Sequence, residues 1–134
     1  MIQAKELRIG NFVSENESCS DGFVKTVDGI NIAKIGSNSI LLSNGDIYES
    51  DEIYPIPLTE EWLLRFGFKW QVPRACLNLG KFSIILPYVN PVFPKGRVYF
   101  NSWCILEPPP MHVHQIQNLF YALTGQELEI KEQP

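Results

Sequence analysis

The sequence predicts an α+β protein, with a small SH3-like or bent-sheet β part, a short helix, and a second antiparallel sheet packed by a C-terminal helix. Three observations lead to this fold class. At 134 residues and 45% hydrophobic content, the chain is long enough for one real core. Short alternating segments separated by turn residues predict strands. Two stretches that each end in a glycine have the patterns of helices.

The best-specified stretch is residues 58–68, where signals at both ends agree on a helix over residues 59–66. Thr59 is a good N-cap, and the two glutamates that follow it place negative charge at the positive end of the helix dipole. Gly67 at the C′ position accepts a left-handed conformation, and Phe68 can fold back to complete a Schellman ending. A helix of about two turns is unstable alone, so its apolar side chains must be held by tertiary packing.

Residues 1–57 read as a small β-barrel-like part. Its predicted strands lie at residues 7–13, 23–27, 30–35, 39–42, 47–48 and 53–56. The pairs Asp28-Gly29 and Asn44-Gly45 are typical of two-residue hairpin turns. Because a closed sheet of this size hides its edges, an SH3-like barrel is the expected arrangement.

Residues 58–134 read as an α+β part that packs with the first part as one compact unit. Its predicted strands lie at residues 68–72, 75–79, 82–86, 97–100 and 103–106. Three prolines in residues 87–96 exclude regular ladder bonding and predict a loop. An apolar stripe then runs along a C-terminal helix that ends at Gly125, and we expect this stripe to face the second sheet. It consists of Val113, Ile116, Leu119, Phe120 and Leu123.

Composition and charge indicate where the protein is expected to act and which partners are expected. No apolar run approaches the roughly 20 residues that span a bilayer, and the N-terminal residues lack the pattern of a secretory signal. Three cysteines, Cys19, Cys76 and Cys104, are an odd number without CxxC spacing, which predicts reduced thiols and a cytoplasmic protein. The net charge is -4, which argues against a generally nucleic-acid-binding surface. Residues 59–107 nevertheless carry six basic side chains against three acidic ones.

Three phrases of the chain, residues 7–11, 55–68 and 113–128, are similar to sequences in a known group. They resemble small uncharacterised proteins from Bacteroidetes genomes and their phages. The resemblance covers about a quarter of the chain and leaves out residues 71–110. It implies an intracellular accessory protein in a phage or mobile-element context, and it assigns a role to no residue.

Candidate catalytic and metal sites have simpler structural explanations. His112 and His114 share a ligand site only if the segment before Gln115 is extended, and a third ligand would have to come from Cys104 or Glu107. Cys104 beside one of these histidines would make a thiol nucleophile, but it lies in an apolar strand pattern, so a buried core cysteine is the prediction. The sequence therefore predicts no catalytic residues, no metal site and no cofactor.

The basic middle of the chain is the feature that folding explains least. Cations alternate with flat rings there, the mixture that single-stranded nucleic acid or a protein partner uses. Strand alternation, with rings in the core and charges in water, explains the same pattern. The predicted binding face consists of Trp70, Arg74, Lys81, Tyr88, Phe93, Lys95 and Arg97.

Together these observations predict a non-enzymatic intracellular binding or accessory protein that acts through a protein partner. A weak nucleic-acid-binding module that uses the basic middle is the alternative, although the net charge disfavours it. An enzyme or a metalloprotein is the third reading. No membrane association is expected.

Overall fold

The computed structural model describes residue 2 and residues 4–19, 21–31, 39–71 and 76–131. These residues form two units. The first unit comprises residues 1–57 with residues 112–127, and the second comprises residues 58–111 with residues 128–134. The change of unit after Pro57 falls where the sequence divides, but residues 112–127 return to the first unit rather than staying with the second.

The first unit contains a four-stranded antiparallel sheet in the order β1-β2-β3-β4. Its strands are β1 (Phe12–Ser14), β2 (Val24–Asn31), β3 (Ser39–Leu42) and β4 (Ile47–Glu49). Short 3-10 turns at Ala4–Glu6, Asp21–Phe23 and Ser50–Glu52 connect or precede them. Alternation in the strands buries Val13, Val27, Ile40 and Leu42, which join Ile2, Ala4, Leu7 and Ile53 in one apolar cluster.

The hairpin predicted at Asp28-Gly29 is wrong. The strand β2 continues through both residues, and its register against β3 shifts between Val27 and Gly29. Such a shift is a β-bulge, in which one strand has an extra residue. An Asp-Gly pair is compatible with a bulge as well as with a turn, and a bulge forms here because the partner strand lies further along the chain. Of the predicted returning strand at residues 30–35, Ile30 and Asn31 belong to β2, and residues 32–35 lie outside the described part.

The second hairpin signal is confirmed. Gly45 has φ of +88° in the turn between β3 and β4, and the Gly45 N–H donates to the carbonyl of Leu42 at 2.9 Å. The SH3-like closure is not confirmed, because β1 and β4 remain the ends of the described sheet. Residues 53–56 contribute an isolated bridge, Ser14 with Tyr54, rather than a strand.

The C-terminal helix α2 (Val113–Thr124) lies beside β1, in the unit of the first sheet. The apolar stripe was expected to face the second sheet, whereas the structure assigns this helix to the unit of the first sheet. The buried residues explain the difference, because Val113, Ile116 and Phe120 share their face with the polar Gln117. A buried amide needs a hydrogen-bonding partner, and the backbone of the first sheet provides one.

Gln117 pairs with the main chain at β1 as another strand would. Its side-chain oxygen accepts from the N–H of Phe12 at 2.9 Å, and its side-chain nitrogen donates to the carbonyl of Gly10 at 3.1 Å. Asn118 and Arg8 extend the network: the Asn118 side-chain oxygen accepts from Arg8 Nε at 3.0 Å and from Asn11 Nδ2 at 2.9 Å. These bonds attach α2 to the strand edge.

The second unit contains a five-stranded antiparallel sheet in the order β5-β6-β7-β8-β9. All five strands lie where alternation in the sequence predicts them. They are β5 (Lys69–Gln71), β6 (Cys76–Leu79), β7 (Phe82–Ile85), β8 (Arg97–Phe100) and β9 (Trp103–Leu106). One face of the sheet is apolar, and the side chains at its centre are buried: Leu77, Phe82, Ile84 and Val98. Asn101 and Ser102, with φ of 53° and 69°, form the two-residue turn between β8 and β9.

The helix α1 (Glu60–Arg65) confirms the prediction at both ends. The Thr59 hydroxyl accepts from the N–H of Trp62 at 3.4 Å. At the other end, the N–H of Phe68 donates to Leu63 and the N–H of Gly67 donates to Leu64, each at 3.0 Å. This pair of bonds defines a Schellman motif, and it places Gly67 at φ of +96°.

Gly67→Ala should lower the free energy of unfolding by about 1 kcal/mol, because alanine resists the left-handed conformation. The added Cβ would also meet the flexible end of the Lys131 side chain, which can move aside. Denaturant melts measure the change. Gly22→Ala is the matched control, since Gly22 has no positive φ and open space around it. Equal effects of the two substitutions would contradict the Schellman ending.

Gln117→Ala should lower the free energy of unfolding by about 2 kcal/mol, because it removes both bonds to the β1 edge in a buried setting. Thermal and denaturant melts report the loss. The exposed Gln126 provides the control, as Gln126→Ala should stay within about 0.5 kcal/mol of wild type. A neutral Gln117→Ala would show that the amide does not attach α2 to the sheet.

Candidate functional site

The predicted binding face does not assemble as one surface. Trp70 lies opposite Leu77 across β5 and β6, so it belongs to the apolar face of the sheet. Its indole N–H donates to the Glu60 carboxylate at 2.8 Å. Phe93 and Lys81 line a groove on the other face. Arg74 lies outside the described residues.

The side chain of Arg97 contacts the ring of Phe93 and also pairs with an acidic side chain. The Arg97 guanidinium lies 4.0 Å from the centroid of the Phe93 ring. It also forms an ion pair with Glu107 and donates to the Tyr99 hydroxyl at 3.3 Å. The hydrogen bonds to Tyr99 and Glu107 raise the pKa of Arg97. A charge neutralised in this way has less to offer a phosphate group.

The remaining predicted residues lie on the proline-containing loop of residues 87–96. Tyr88 is 92% exposed, and its φ of 65° is uncommon for a non-glycine residue. Its N–H donates to the carbonyl of Pro94 at 2.9 Å, which holds the loop in a closed turn. Lys95 is exposed. At the end of the loop, Gly96 is buried at φ of +79°, where a Cβ would collide with the carbonyl of Ile85.

The groove has a volume of about 600 Å³ and lies on the polar face of the second sheet. The strand register arranges its lining in three rows. One row, beside Phe93 and Asn90 of the loop, consists of Gln71, Cys76 and Ile85. Asn78, Ser83 and Tyr99 form a row of amide and hydroxyl groups across β6, β7 and β8. The last row comes from the tips of two turns, Gly80-Lys81 and Asn101-Ser102.

Asn78 carries an unpartnered acceptor within this groove. Its side-chain oxygen is buried and forms no hydrogen bond among the described residues. An unsatisfied buried carbonyl costs on the order of 1–3 kcal/mol, and native proteins carry few of them. The side chain can therefore accept a hydrogen bond from a group that the described residues do not supply.

The second notable feature is the edge strand β9. All four of its residues, Trp103, Cys104, Ile105 and Leu106, are exposed, and Trp103 is 77% exposed. A strand at the end of a sheet has a row of main-chain N–H and C=O groups without a strand partner. In the sequence, β9 is recognisable as an apolar strand that follows a two-residue turn and ends before Glu107 and three prolines. The strand was predicted, but its position at the edge depends on the sheet order.

The other edge strands of the described sheets are protected. The side chain of Gln117 pairs with β1. Strand β4 ends in Glu49 and β5 begins with Lys69, and charged side chains at an edge oppose pairing with another chain. Strand β9 contains no charged residue. It is therefore the least protected edge in the described part of the protein.

The three cysteines are free thiols in three environments. Cys76 is buried, Cys19 is partly buried, and Cys104 is exposed. The prediction that Cys104 is a core residue is therefore wrong. Its apolar strand lies at the edge of the sheet, where an apolar pattern does not bury a side chain.

The two histidines lie beside each other at the start of α2. The rings of His112 and His114 stack with centroids 5.9 Å apart, and His114 is buried at the start of α2. Neither ring nitrogen of His114 has a hydrogen-bond partner among the described residues. Within that same part of the chain, the side chains spaced to hold a metal ion are Glu49, Asp51 and Glu52, all exposed.

In comparisons with known proteins, no family model, curated protein or solved structure matches this chain. In the described part of the chain, the helices are too short or too polar to cross a membrane.

The stability of the protein should fall as the pH is lowered from about 6.5 to about 4. Burial, assisted by charge on His112 and opposed by Glu6, lowers the pKa of His114 to about 4. The unfolded chain therefore binds a proton in this window that the folded protein does not, and the loss is on the order of 2 kcal/mol.

Denaturant melts across this pH range measure the effect. His114→Phe should flatten the profile because it removes the buried titrating group, whereas His112→Phe should keep most of the slope. If both variants retain the wild-type pH dependence, the buried ring of His114 is not its source.

Proposed function

We propose that this protein is a non-enzymatic binding protein that accepts an extended segment of a partner protein on the edge strand β9. The observation that carries the proposal is that all four residues of this apolar, uncharged edge strand are exposed, with Ile105 at 37% and Trp103 at 77%. Strand addition supplies affinity through main-chain hydrogen bonds and specificity through alternate side chains. It requires an open edge, and β9 provides one.

The side chains of β9 support a protein ligand over other macromolecules. Trp103 is a large exposed ring, the residue type that most often dominates binding at protein interfaces. Ile105 and Leu106 add apolar surface on either side of the strand's end. The neighbouring Arg97 is paired with Glu107, so this edge offers little positive charge to a nucleic acid.

A turn precedes β9 and three prolines follow it, and these two features limit the length of the added segment. The turn at Asn101-Ser102 begins the strand, and the Asn101 N–H donates to the carbonyl of Lys81 at 3.0 Å. Residues 108–110 are prolines, which cannot donate to a ladder. A short extended segment of about four residues therefore matches this edge.

The same proposal places the protein in the cytoplasm, as the cysteine count suggests. An exposed thiol such as Cys104 persists in a reducing compartment, whereas oxidising compartments favour disulfides. The phage or mobile-element context implied by the resemblance remains part of the proposal.

The proposal predicts that peptides selected from a displayed random library will bind as extended strands at β9. Ile105→Lys should weaken the selected peptides at least about tenfold, because an edge lysine opposes strand addition and removes apolar contact. Fluorescence anisotropy with the labelled peptides gives the affinities, and hydrogen exchange locates them by protection of residues 103–106.

Ile47→Lys is the matched control, since Ile47 is also exposed on an edge strand but lies in the first unit. It should leave peptide affinity unchanged. Peptides that bind Ile105→Lys as tightly as wild type, or that protect amides elsewhere, would refute the proposal. A dimer in sedimentation that Ile105→Lys dissociates would mean that a second copy occupies the edge, and the partner-protein proposal would fail.

A further inference from the structure

The groove on the polar face of the second sheet is a separate feature from β9, and none of its lining residues belongs to that strand. Its three rows differ in chemistry from one end to the other. One end has Phe93 and Ile85 together with the amides of Gln71 and Asn90, the middle has amide and hydroxyl groups, and the far end has Lys81. Such a gradient selects a ligand with the matching order of groups.

The far end of the groove favours an anion. Lys81 lies at the tip of one turn, and Asn101 and Ser102 contribute an amide and a hydroxyl from the tip of the neighbouring turn. No carboxylate lines the groove in the described part of the chain. A phosphate placed here would meet hydrogen-bond donors and one positive charge without an opposing acid.

The middle and the Phe93 end favour a hydroxylated group joined to a flat ring. The buried oxygen of Asn78 needs an O–H or N–H donor, and the hydroxyls of Ser83 and Tyr99 lie in the same cross-strand row. Phe93 supplies an aromatic wall, one that is itself backed by the Arg97 guanidinium at 4.0 Å. Flat heteroaromatic bases stack on such rings.

We propose that this groove binds a nucleoside diphosphate, with the base against Phe93, a ribose hydroxyl donating to the Asn78 oxygen, and the diphosphate at Lys81. From Ile85 to Lys81, the strand β7 and its turn cover roughly 13 Å, which accommodates base, sugar and diphosphate in line. The cavity of about 600 Å³ falls in the range of small-molecule sites. A plain sugar would leave Lys81 unused, and a free phosphate would leave Asn78 and Phe93 unused.

Isothermal titration of the full chain with ADP, GDP, CDP and UDP tests the proposal, with adenosine, pyrophosphate and maltose as further probes. At least one diphosphate should show saturable binding below about 1 mM. The corresponding nucleoside and pyrophosphate should each bind at least about tenfold more weakly, because each retains one end of the ligand.

Two variants assign the ends of the ligand. Lys81→Gln should weaken the diphosphate about tenfold and leave the weak binding of the nucleoside unchanged, because it removes one charge-assisted hydrogen bond. Asn78→Leu should abolish binding while its melting temperature stays equal to or above that of wild type, since it removes an unsatisfied acceptor. Lys95→Gln is the charge-matched control, because Lys95 does not line the groove.

The proposal is overturned if none of the four diphosphates binds below about 1 mM, or if pyrophosphate or maltose binds as well as the best of them. It is also overturned if Lys81→Gln and Lys95→Gln weaken the diphosphate equally. Ile105→Lys should retain diphosphate binding, so the outcome for the groove is independent of the outcome for β9.

Discussion

The need to satisfy main-chain groups at strand edges is the constraint on which this structure depends. A β-sheet leaves unpaired N–H and C=O groups along both of its outer strands, and these groups must meet water, a side chain or another chain. In the first unit, the main chain of Tyr54 pairs with Ser14 of β1, and the amide of Gln117 pairs with the main chain of Gly10 and Phe12. This contact brings residues 112–127 back to the first sheet, although the chain has passed through the second unit in between.

In the second unit, the two edge strands β5 and β9 differ in how far they are protected from pairing with another chain. The edge strand β5 begins with a lysine, and Trp70 on the same strand is tied to Glu60. Strand β9 has no charge, no side chain among the described residues pairs with its main chain as Gln117 does with β1, and its apolar residues are exposed. Proteins usually avoid such an edge because it invites association. The exposure of β9 is therefore the feature on which the proposed strand addition depends.

The polar face of the second sheet shows a comparable departure from what stability alone would produce. A leucine in place of Asn78 would avoid an unsatisfied buried oxygen, so retaining the amide costs folding free energy. The loop of residues 87–96 is held over this face by the bond from Tyr88 to Pro94 and by the close approach of Gly96 to Ile85. An arrangement that is costly and locally supported is typical of binding sites.

The sequence by itself determined the local elements, because their signals act over a few residues. The caps of α1, the turn at Asn44-Gly45, the end of α2 at Gly125 and the five strands of the second sheet all follow from alternation, capping and turn chemistry. The α+β class follows from these elements. Of the predicted binding face, Lys81 and Phe93 do line one groove.

The tertiary structure decided the features that depend on long-range pairing. Whether Asp28-Gly29 turns or bulges depends on which strand pairs with β2, and that partner begins at Ser39. Whether Cys104 is buried depends on β9 lying at the edge of the sheet, and the side on which Trp70 points depends on its register with Leu77. The apolar stripe of α2 predicts a buried face but not the sheet beside it, because hydrophobic burial has no direction. The hydrogen bonds of Gln117 supply that direction, and they join residues more than a hundred positions apart.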